Sequence, residues 1–367
     1  MARSVKFRKA EKPKPGKTWK AAMKGFFGVT SRVLMLIVAG LLVVSYVSMY
    51  VNPSKTWWFT LFGLMFIPFT AFNFILLLWA IKRRSRTFVI PLLAIATSLL
   101  FIGRYIQFGD DDQVVSDDPT LKILSYNVGR FSTCDKDSLF AFIRSQDPDI
   151  VCLQEYYVSD IDKVRGQLRD QMKGYRSEFY LFPMADGSAF GNVTLSRIPV
   201  KGKGKIKFEE SANLAIYTDY EYHDRAFRVY NCHFESYSIS LPGLLRGLFK
   251  ADKAAMAETG DRVKKSISRR PKQVDMVFED IERCPVEAFV CGDFNDDPMS
   301  YTYFRMTRGR KDSFREAGKG FGATFTRLWP MLRIDYIMLP DRFDALEHLT
   351  PRVRYSDHFP VISTIEL

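Results

Sequence analysis

Short apolar runs separated by polar turns, from Leu121 to the end of the chain, predict an α/β domain with a two-sheet core flanked by helices. Three long uncharged stretches ahead of that domain predict a membrane region. Several strand-like runs also end in a polar residue that strand packing does not require, which places the chemistry at strand ends.

The three stretches come first. Val33 to Val51 is 19 residues without a charge, Trp57 to Ile81 is 25, and Thr87 to Gly103 is 17. Each is near the roughly 20 residues that cross a bilayer core. Three transmembrane helices are therefore expected over residues 33–109. The first begins too late, and has too little of a cleavage site, for a simple signal peptide. Loop charge sets the expected orientation. Residues 1–32 form a basic tail, and Lys82-Arg83-Arg84-Ser85-Arg86 joins the second stretch to the third. Only Lys55 follows the first stretch, and Asp110-Asp111-Asp112 follows the third. Both basic segments are expected in the cytoplasm. That makes a multi-pass protein of the inner (cytoplasmic) membrane, with its C-terminal domain periplasmic or otherwise extracytoplasmic. Residues 110–120 read as a polar linker, and residues 121–367 as the catalytic domain.

Charge divides along the same boundary. The net charge is +12, yet residues 1–109 hold 16 Lys/Arg against Glu11 alone. The remainder carries 37 basic and 40 acidic residues, so it is slightly acidic. A basic chain suggests nucleic acid only when the charge sits on the folded domain. Here the excess flanks the membrane, which makes nucleic acid the less natural partner and the lipid bilayer the expected one. The cysteines are Cys134, Cys152, Cys232, Cys284 and Cys291. None forms a CxxC pair, most lie in apolar runs, and buried free thiols are expected.

Within the domain, strands are expected at Leu121 to Tyr126, Ile150 to Leu153, Asn192 to Ser196, Ala215 to Tyr220, Phe227 to Cys232, Ala288 to Cys291, Ile334 to Leu339 and Val361 to Ile365. Ser138 to Ser145 and Lys264 to Arg283 read as helices. The first strand ends at Asn127, the second in Gln154-Glu155, another in Asn231-Cys232-His233 and another in Gly292-Asp293-Phe294-Asn295. Ser356-Asp357-His358 precedes the last strand. Carboxylates, amides and imidazoles gathered at strand ends suit a hard cation with an acid/base, namely Mg²⁺, Mn²⁺ or Ca²⁺. The lack of Cys–His pairs at metal spacing argues against structural zinc. Asp296 and Asp297 read as a plain acidic turn. His223 and His348 lack a motif and are expected at the surface. Asn192 reads either as a phosphate ligand or as a turn cap, and Tyr126 and Phe294 as core.

At these residues the chain resembles the endonuclease/exonuclease/phosphatase superfamily, whose members include DNase I-like nucleases. The matching segments are Ile123 to Val128, Asp149 to Glu155, Gly191 to Arg197, Asn231 to Phe234, Gly292 to Asn295, Arg333 to Ile337 and Ser356 to His358, in the family's order. The resemblance implies a four-layered α/β sandwich and a phosphoric ester hydrolase. It implies Glu155 as principal metal ligand, with Asn127 beside it and Asp357 reaching the metal. It implies Asp293 as the group that orients or deprotonates water, and Asn295 as a holder of phosphate or nucleophile. It implies His358 as a contact to the scissile phosphate, Asp335 as the carboxylate that fixes its tautomer, and His233 as general acid.

Three functions remain open on the sequence: a metal-dependent phosphoesterase acting on a phospholipid or other extracytoplasmic phosphoester, a membrane-tethered nuclease, and a non-catalytic receptor or scaffold of the same fold. The segment 236–260, with Arg246 and Lys250 among apolar residues, reads as an insertion that either contacts the bilayer or packs on the domain.

Overall fold

Helix α1 (Pro15–Val47) opens the chain, followed by α2 (Phe59–Leu64), α3 (Phe66–Lys82) and α4 (Val89–Ile102). A computed structural model describes residues 15–109, 116–209, 211–237 and 253–367. Residues 1–14 of the basic tail, residues 110–115 of the expected linker, and Arg246 and Lys250 of the insertion lie outside the described residues.

The helices form an up-down-up bundle. Met35 and Val38 of α1 pack with Leu76 and Ala80 of α3 at one end, where Ile90 of α4 joins them. At the other end Leu42 and Met49 pack with Phe66, Ala94 and Tyr105. Among the described residues one helix, Gly28–Tyr50, is long and apolar enough to cross a membrane, with 23 residues and a mean hydropathy of 2.3. The second expected span is divided at Met65 into α2 and the 17-residue α3. The third apolar helix, Arg86–Ile102, is also short. At 1.5 Å per residue, 17 residues reach about 25 Å against a core of about 30 Å. The expectation of three full-length spans is corrected accordingly. An uncharged run reports apolarity but not the break at Met65 within it.

The rest is a two-sheet sandwich. One sheet holds β2 (Thr120–Asn127), β3 (Ile150–Val158), β4 (Arg176–Pro183), β5 (Ala189–Ser196), β13 (Asp344–Leu349) and β14 (Val361–Glu366), in the order β13-β14-β2-β3-β5-β4. The other holds β6 (Val200–Lys207), β7 (Leu214–Tyr222), β8 (Arg225–His233), β9 (Glu287–Asp293), β10 (Arg310–Asp312) and β12 (Asp335–Pro340), in the order β10-β12-β9-β8-β7-β6. A two-stranded ribbon pairs β1 (Ile106–Gln107) with β11 (Gly320–Phe321).

Period-two alternation explains the layers. Leu121, Ile123, Ile150 and Cys152 face Phe227, Val229, Phe289, Cys291, Ile337 and Leu339 between the sheets. The outer face of the first sheet, with Leu124, Tyr126 and Val151, is covered by α5 (Lys136–Ser145) and α6 (Val164–Gln171) through Leu139, Phe140, Ile143, Val164 and Leu168. The outer face of the second is covered by α7 (Lys253–Glu282) and α8 (Tyr301–Met306) through Val274, Val277, Phe278, Ile281, Tyr303 and Met306. These are the four layers that the resemblance implies. A short helix, α9 (Ser313–Ala317), packs under β12 and β13. All five cysteines are free, and Cys152, Cys232 and Cys291 are buried as expected.

Candidate active site

The alternation that fills the space between the sheets also builds the site. Continuing by twos beyond the apolar layer brings β2 to Asn127, β3 to Gln154, β8 to Asn231 and His233, and β9 to Asp293. On β12 the same face begins with Asp335. Pairing aligns these ends: Asn127 lies opposite Gln154, His233 opposite Asp293, and Asp335 opposite Asp293. All are buried.

Asp293 is the centre. Asn127 Nδ2 donates to its Oδ2 at 2.8 Å, and the Asn295 backbone N–H donates to its Oδ1 at 2.8 Å. Its Oδ2 lies 3.8 Å from Nε2 of His233 and 3.8 Å from Nε2 of His358. His233 Nε2 is also 3.8 Å from Glu155 Oε1. His358 Nδ1 is 2.9 Å from Asp335 Oδ2, as the resemblance implies for a carboxylate fixing this imidazole. Asp293, Asp335 and His358 each offer a ligand atom within 4.8 Å of the others, so they could hold a metal ion.

Electrostatics follows from burial and proximity. Burial, then the nearby Asp335 carboxylate, pushes the Asp293 carboxyl up to about 6, against the opposing pull of His358, His233 and the Asn127 amide. For His358, burial opposes the charged ring, but Asp335, Asp293 and Asp357 together hold its pKa up to about 10. The site thus contains a cationic imidazole beside a carboxyl poised near neutrality. Carboxylate, amide and imidazole donors around mutually repelling carboxylates are the surroundings a hard divalent cation fits.

Strained backbone is concentrated here. Glu155 sits at φ +52° where the pairing of β3 with β5 shifts between Leu153 and Tyr156. This bulge re-aims a side chain that strict alternation would send to the other face. Gly292 has φ +135°, and a Cβ there would stand 1.9 Å from the Cys232 carbonyl oxygen, so glycine is required between Cys291 and Asp293. Asn295, at φ +52°, spends its side-chain N–H groups on the Phe234 carbonyl at 2.9 Å and on Asp293 at 3.2 Å.

Of the three metal ligands implied by resemblance, Asn127 lies against Asp293. Glu155 and Asp357 lie at the rim, where Arg130 Nε is 3.4 Å from Glu155 Oε2 and Arg327 Nη2 is 3.5 Å from Asp357 Oδ2. Sequence reasoning missed both arginines, since neither belongs to a matching segment. It also missed the amide tie beneath the site, in which Gln154 Nε2 donates to Asn231 Oδ1 at 2.8 Å across the sheets. Asn192 caps no turn: it lies within β5, and its Nδ2 donates to the Asn231 carbonyl at 3.0 Å within this tie. Tyr126 and Phe294 are core, as expected, and His223 is exposed.

Two other expectations are corrected. Asp296 and Asp297 are buried rather than a plain acidic turn. Asp296 Oδ2 pairs with buried Arg270 Nη1 at 3.0 Å and accepts from Thr302 Oγ1 at 2.7 Å. Asp297 accepts from the Tyr105 hydroxyl at 2.8 Å, and burial followed by repulsion from Asp296 pushes its carboxyl up to about 7. His348 is also buried, with Nδ1 2.8 Å from Ser313 Oγ, and burial followed by the nearby Arg333 charge pushes its pKa down to about 3. Neither environment is visible locally, since Tyr105, Arg270 and Ser313 are distant in sequence.

A four-layered sandwich with amides, carboxylates and imidazoles at the ends of its central strands defines a DNase I-like fold. The sequence profile of the Endonuclease/Exonuclease/phosphatase family matches residues 124–358, and the chain belongs to that family. Members of this family are generally hydrolases of phosphoesters. A domain of unknown function matches residues 26–105, the helical bundle. Among solved structures, an endonuclease/exonuclease/phosphatase from Beutenbergia cavernae is similar at 20% identity and a TM-score of 0.51, over 68% of this chain and 72% of that one. One from Bacteroides vulgatus is similar at 17% identity and a TM-score of 0.50, over 68% of this chain and 99% of that one. At such identities the likeness is one of fold. No curated protein matches the chain.

Proposed function

We propose that this protein is a membrane-anchored, divalent-metal-dependent phosphoesterase that hydrolyses a phosphomono- or diester outside the cytoplasm, a phospholipid or another extracytoplasmic phosphoester. The observation that carries this reading is Asp293, held by Asn127 and Asn295 and faced by His233 and His358 at 3.8 Å. Asp293, its carboxyl pushed up to about 6 and so still mostly ionised at neutral pH, takes the proton of the attacking water. The His358 cation, fixed by Asp335, faces the scissile phosphate and stabilises the charge that develops there. His233, 3.8 Å from the same Asp293 oxygen and from Glu155, gives a proton to the departing oxygen. Asn127, Glu155 and Asp357 would hold the cation, Mg²⁺ or else Mn²⁺ or Ca²⁺, which supplies charge neutralisation on the phosphate oxygens.

The membrane side of the reading rests on the 23-residue apolar helix and on the bundle's polarity. The Lys82–Arg86 turn caps the end where Ala80 meets Met35, away from the catalytic domain, and Met299 meets the bundle at the opposite end. That is the arrangement the positive-inside rule expects of a domain outside the cytoplasm.

The test is a phosphoester panel on purified protein with Mg²⁺, Mn²⁺ and Ca²⁺, containing phospholipids, inositol phosphates, plasmid DNA and an aryl phosphodiester. Turnover of a phospholipid or small ester, lost on chelation and abolished in Glu155→Ala, is the expected result. Undiminished turnover in Glu155→Ala would sink the metal assignment. Salt-sensitive nicking of the plasmid alone would make the protein a nuclease instead.

A further inference from the structure

The turn that follows the catalytic Asp293–Asn295 segment is also the seat of the helical bundle. Ser48 Oγ, at the end of the first apolar helix, donates to the Met299 carbonyl at 2.7 Å. Arg104 Nη1, just beyond α4, donates to the Pro298 carbonyl at 2.8 Å. The Tyr105 hydroxyl donates to Asp297 at 2.8 Å. A Cβ on Gly63 of α2 would stand 2.7 Å from the Met299 oxygen, so the helix lies directly on this turn. Met299 itself is buried among Leu42, Met49, Phe66 and Tyr105. Met299 lies four positions after Asn295, a reach of at most about 14 Å. The catalytic centre is therefore fixed close to one end of the bundle and does not hang on a loose tether.

The chain leaving α4 continues this seam toward the site. Ile106 and Gln107 pair with Phe321 and Gly320, and the Gly322 N–H donates to the Tyr105 carbonyl at 2.8 Å. From there the segment 321–334 runs along the site. The Thr326 N–H donates to the Asp357 carbonyl at 2.9 Å, the Phe325 ring lies 5.3 Å from the His358 ring, and Arg327 reaches Asp357. Its tip turns outward. Leu328 is 38% exposed and Trp329 50%, with the Trp329 ring 5.6 Å from that of Phe321, itself 42% exposed. Phe108, next to β1, is 90% exposed. Leu328, Trp329, Phe321 and Phe108 are thus exposed apolar residues on the two short segments that join the end of the bundle, through β1 and β11, to the Phe325 contact with His358. A cluster of this kind, with a cation beside it, matches a bilayer's interfacial layer of apolar chains and phosphates.

We propose that the bundle holds the catalytic domain against the bilayer with the Leu328–Trp329 tip seated in the head-group layer, so that the phosphoester this site hydrolyses is a phospholipid presented by the membrane in which the protein itself sits. The inference rests on the phosphoesterase reading for its substrate, but the seating of the tip can be tested without turnover. Full-length protein is reconstituted in phosphatidylcholine/phosphatidylglycerol vesicles carrying bromine at defined acyl depths. The fluorescence lost in Trp329→Phe reports residue 329, while the remaining Trp19, Trp57, Trp58 and Trp79 of the helical region serve as internal control. The expected result is that the Trp329 component is quenched by shallow bromines, and that Leu328→Ser/Trp329→Ser lowers turnover of vesicle-borne phospholipid about tenfold. Turnover of a soluble aryl phosphodiester should stay within about twofold of wild type. A Trp329 component untouched by bromine, or equal loss on both substrates, overturns the proposal. If no phosphoester is turned over but Trp329 is quenched, the seat stands and the phosphoesterase reading falls. If the helical tryptophans also escape quenching, the anchoring itself falls.

Discussion

The side chain of His358 shows how single residues acquire a role from their neighbours. A histidine in water loses its charge near pH 6.5, but among Asp335, Asp293 and Asp357 it keeps its charge until about 10. Its orientation depends on the 2.9 Å bond to Asp335. Asp335→Asn keeps the shape and removes the charge, so kcat should fall by roughly 10²–10⁴-fold with a smaller change in KM. Steady-state kinetics on the best ester of the panel checks this, and an unchanged kcat would mean that Asp335 is only a fold residue. His348 behaves in the opposite way. Its folded pKa of about 3 lies below the unfolded value near 6.5, so the unfolded state takes up the proton first as pH falls. Its contribution to stability is complete above pH 6.5 and is lost progressively between pH 6.5 and 3, at up to about 1.4 kcal/mol per pH unit. Urea midpoints at pH 7 and pH 5 should therefore differ less in His348→Gln than in wild type.

Elements explain where legibility stopped. All eight expected strands and both expected helices are present, with ends displaced by a few residues except at the start of α7, which begins eleven residues before the expected Lys264. Apart from the two-residue strands β1 and β11, the missed strands β4, β6, β10 and β13 are the four edges of the two large sheets. An edge strand is paired on one side only and tends to keep polar residues that discourage further pairing, although β4 carries the apolar run Phe179 to Phe182. Strand β6, with alternating half-buried and exposed positions through Lys201, Lys203, Lys205 and Lys207, is a clear case. The short helix α2 was missed for a different reason, since its break at Met65 is hidden within a continuous apolar run. Its closeness to the catalytic turn gives the element-scale prediction. Gly63→Val places side-chain atoms against the Met299 carbonyl and forces α2 away, which should cost about 1–3 kcal/mol. Thermal unfolding in detergent checks it, and an unchanged melting temperature would show that the seam yields freely.

At the scale of the whole molecule, the bundle and the catalytic sandwich meet in one continuous contact. The polar contacts from Ser48, Arg104 and Tyr105 converge on the three carbonyl or carboxyl groups of residues 297–299. Behind them, Asp296 is locked by Arg270 of α7, whose Nε donates to the Glu235 carbonyl at 2.6 Å. A short turn thus carries the Asp293–Asn295 segment on one side, the bundle on another and helix α7 on a third. This rigid mounting gives the apolar tip a defined place relative to the bundle.

The sequence by itself determined the layers, the central strands and the list of chemical groups at their ends, because period-two patterning and turn residues are local properties. It also determined that the C-terminal domain is slightly acidic while the basic excess flanks the apolar helices. Only the tertiary structure decided which of those groups touch, because pairing register brings together His233, Asp293 and Asp335 from distant segments, and a bulge re-aims Glu155. It alone turned Asp296 and Asp297 from a surface turn into a buried mount, since their partners Arg270 and Tyr105 lie far along the chain. Burial and long-range contact are properties of the folded chain, and no local reading of composition contains them.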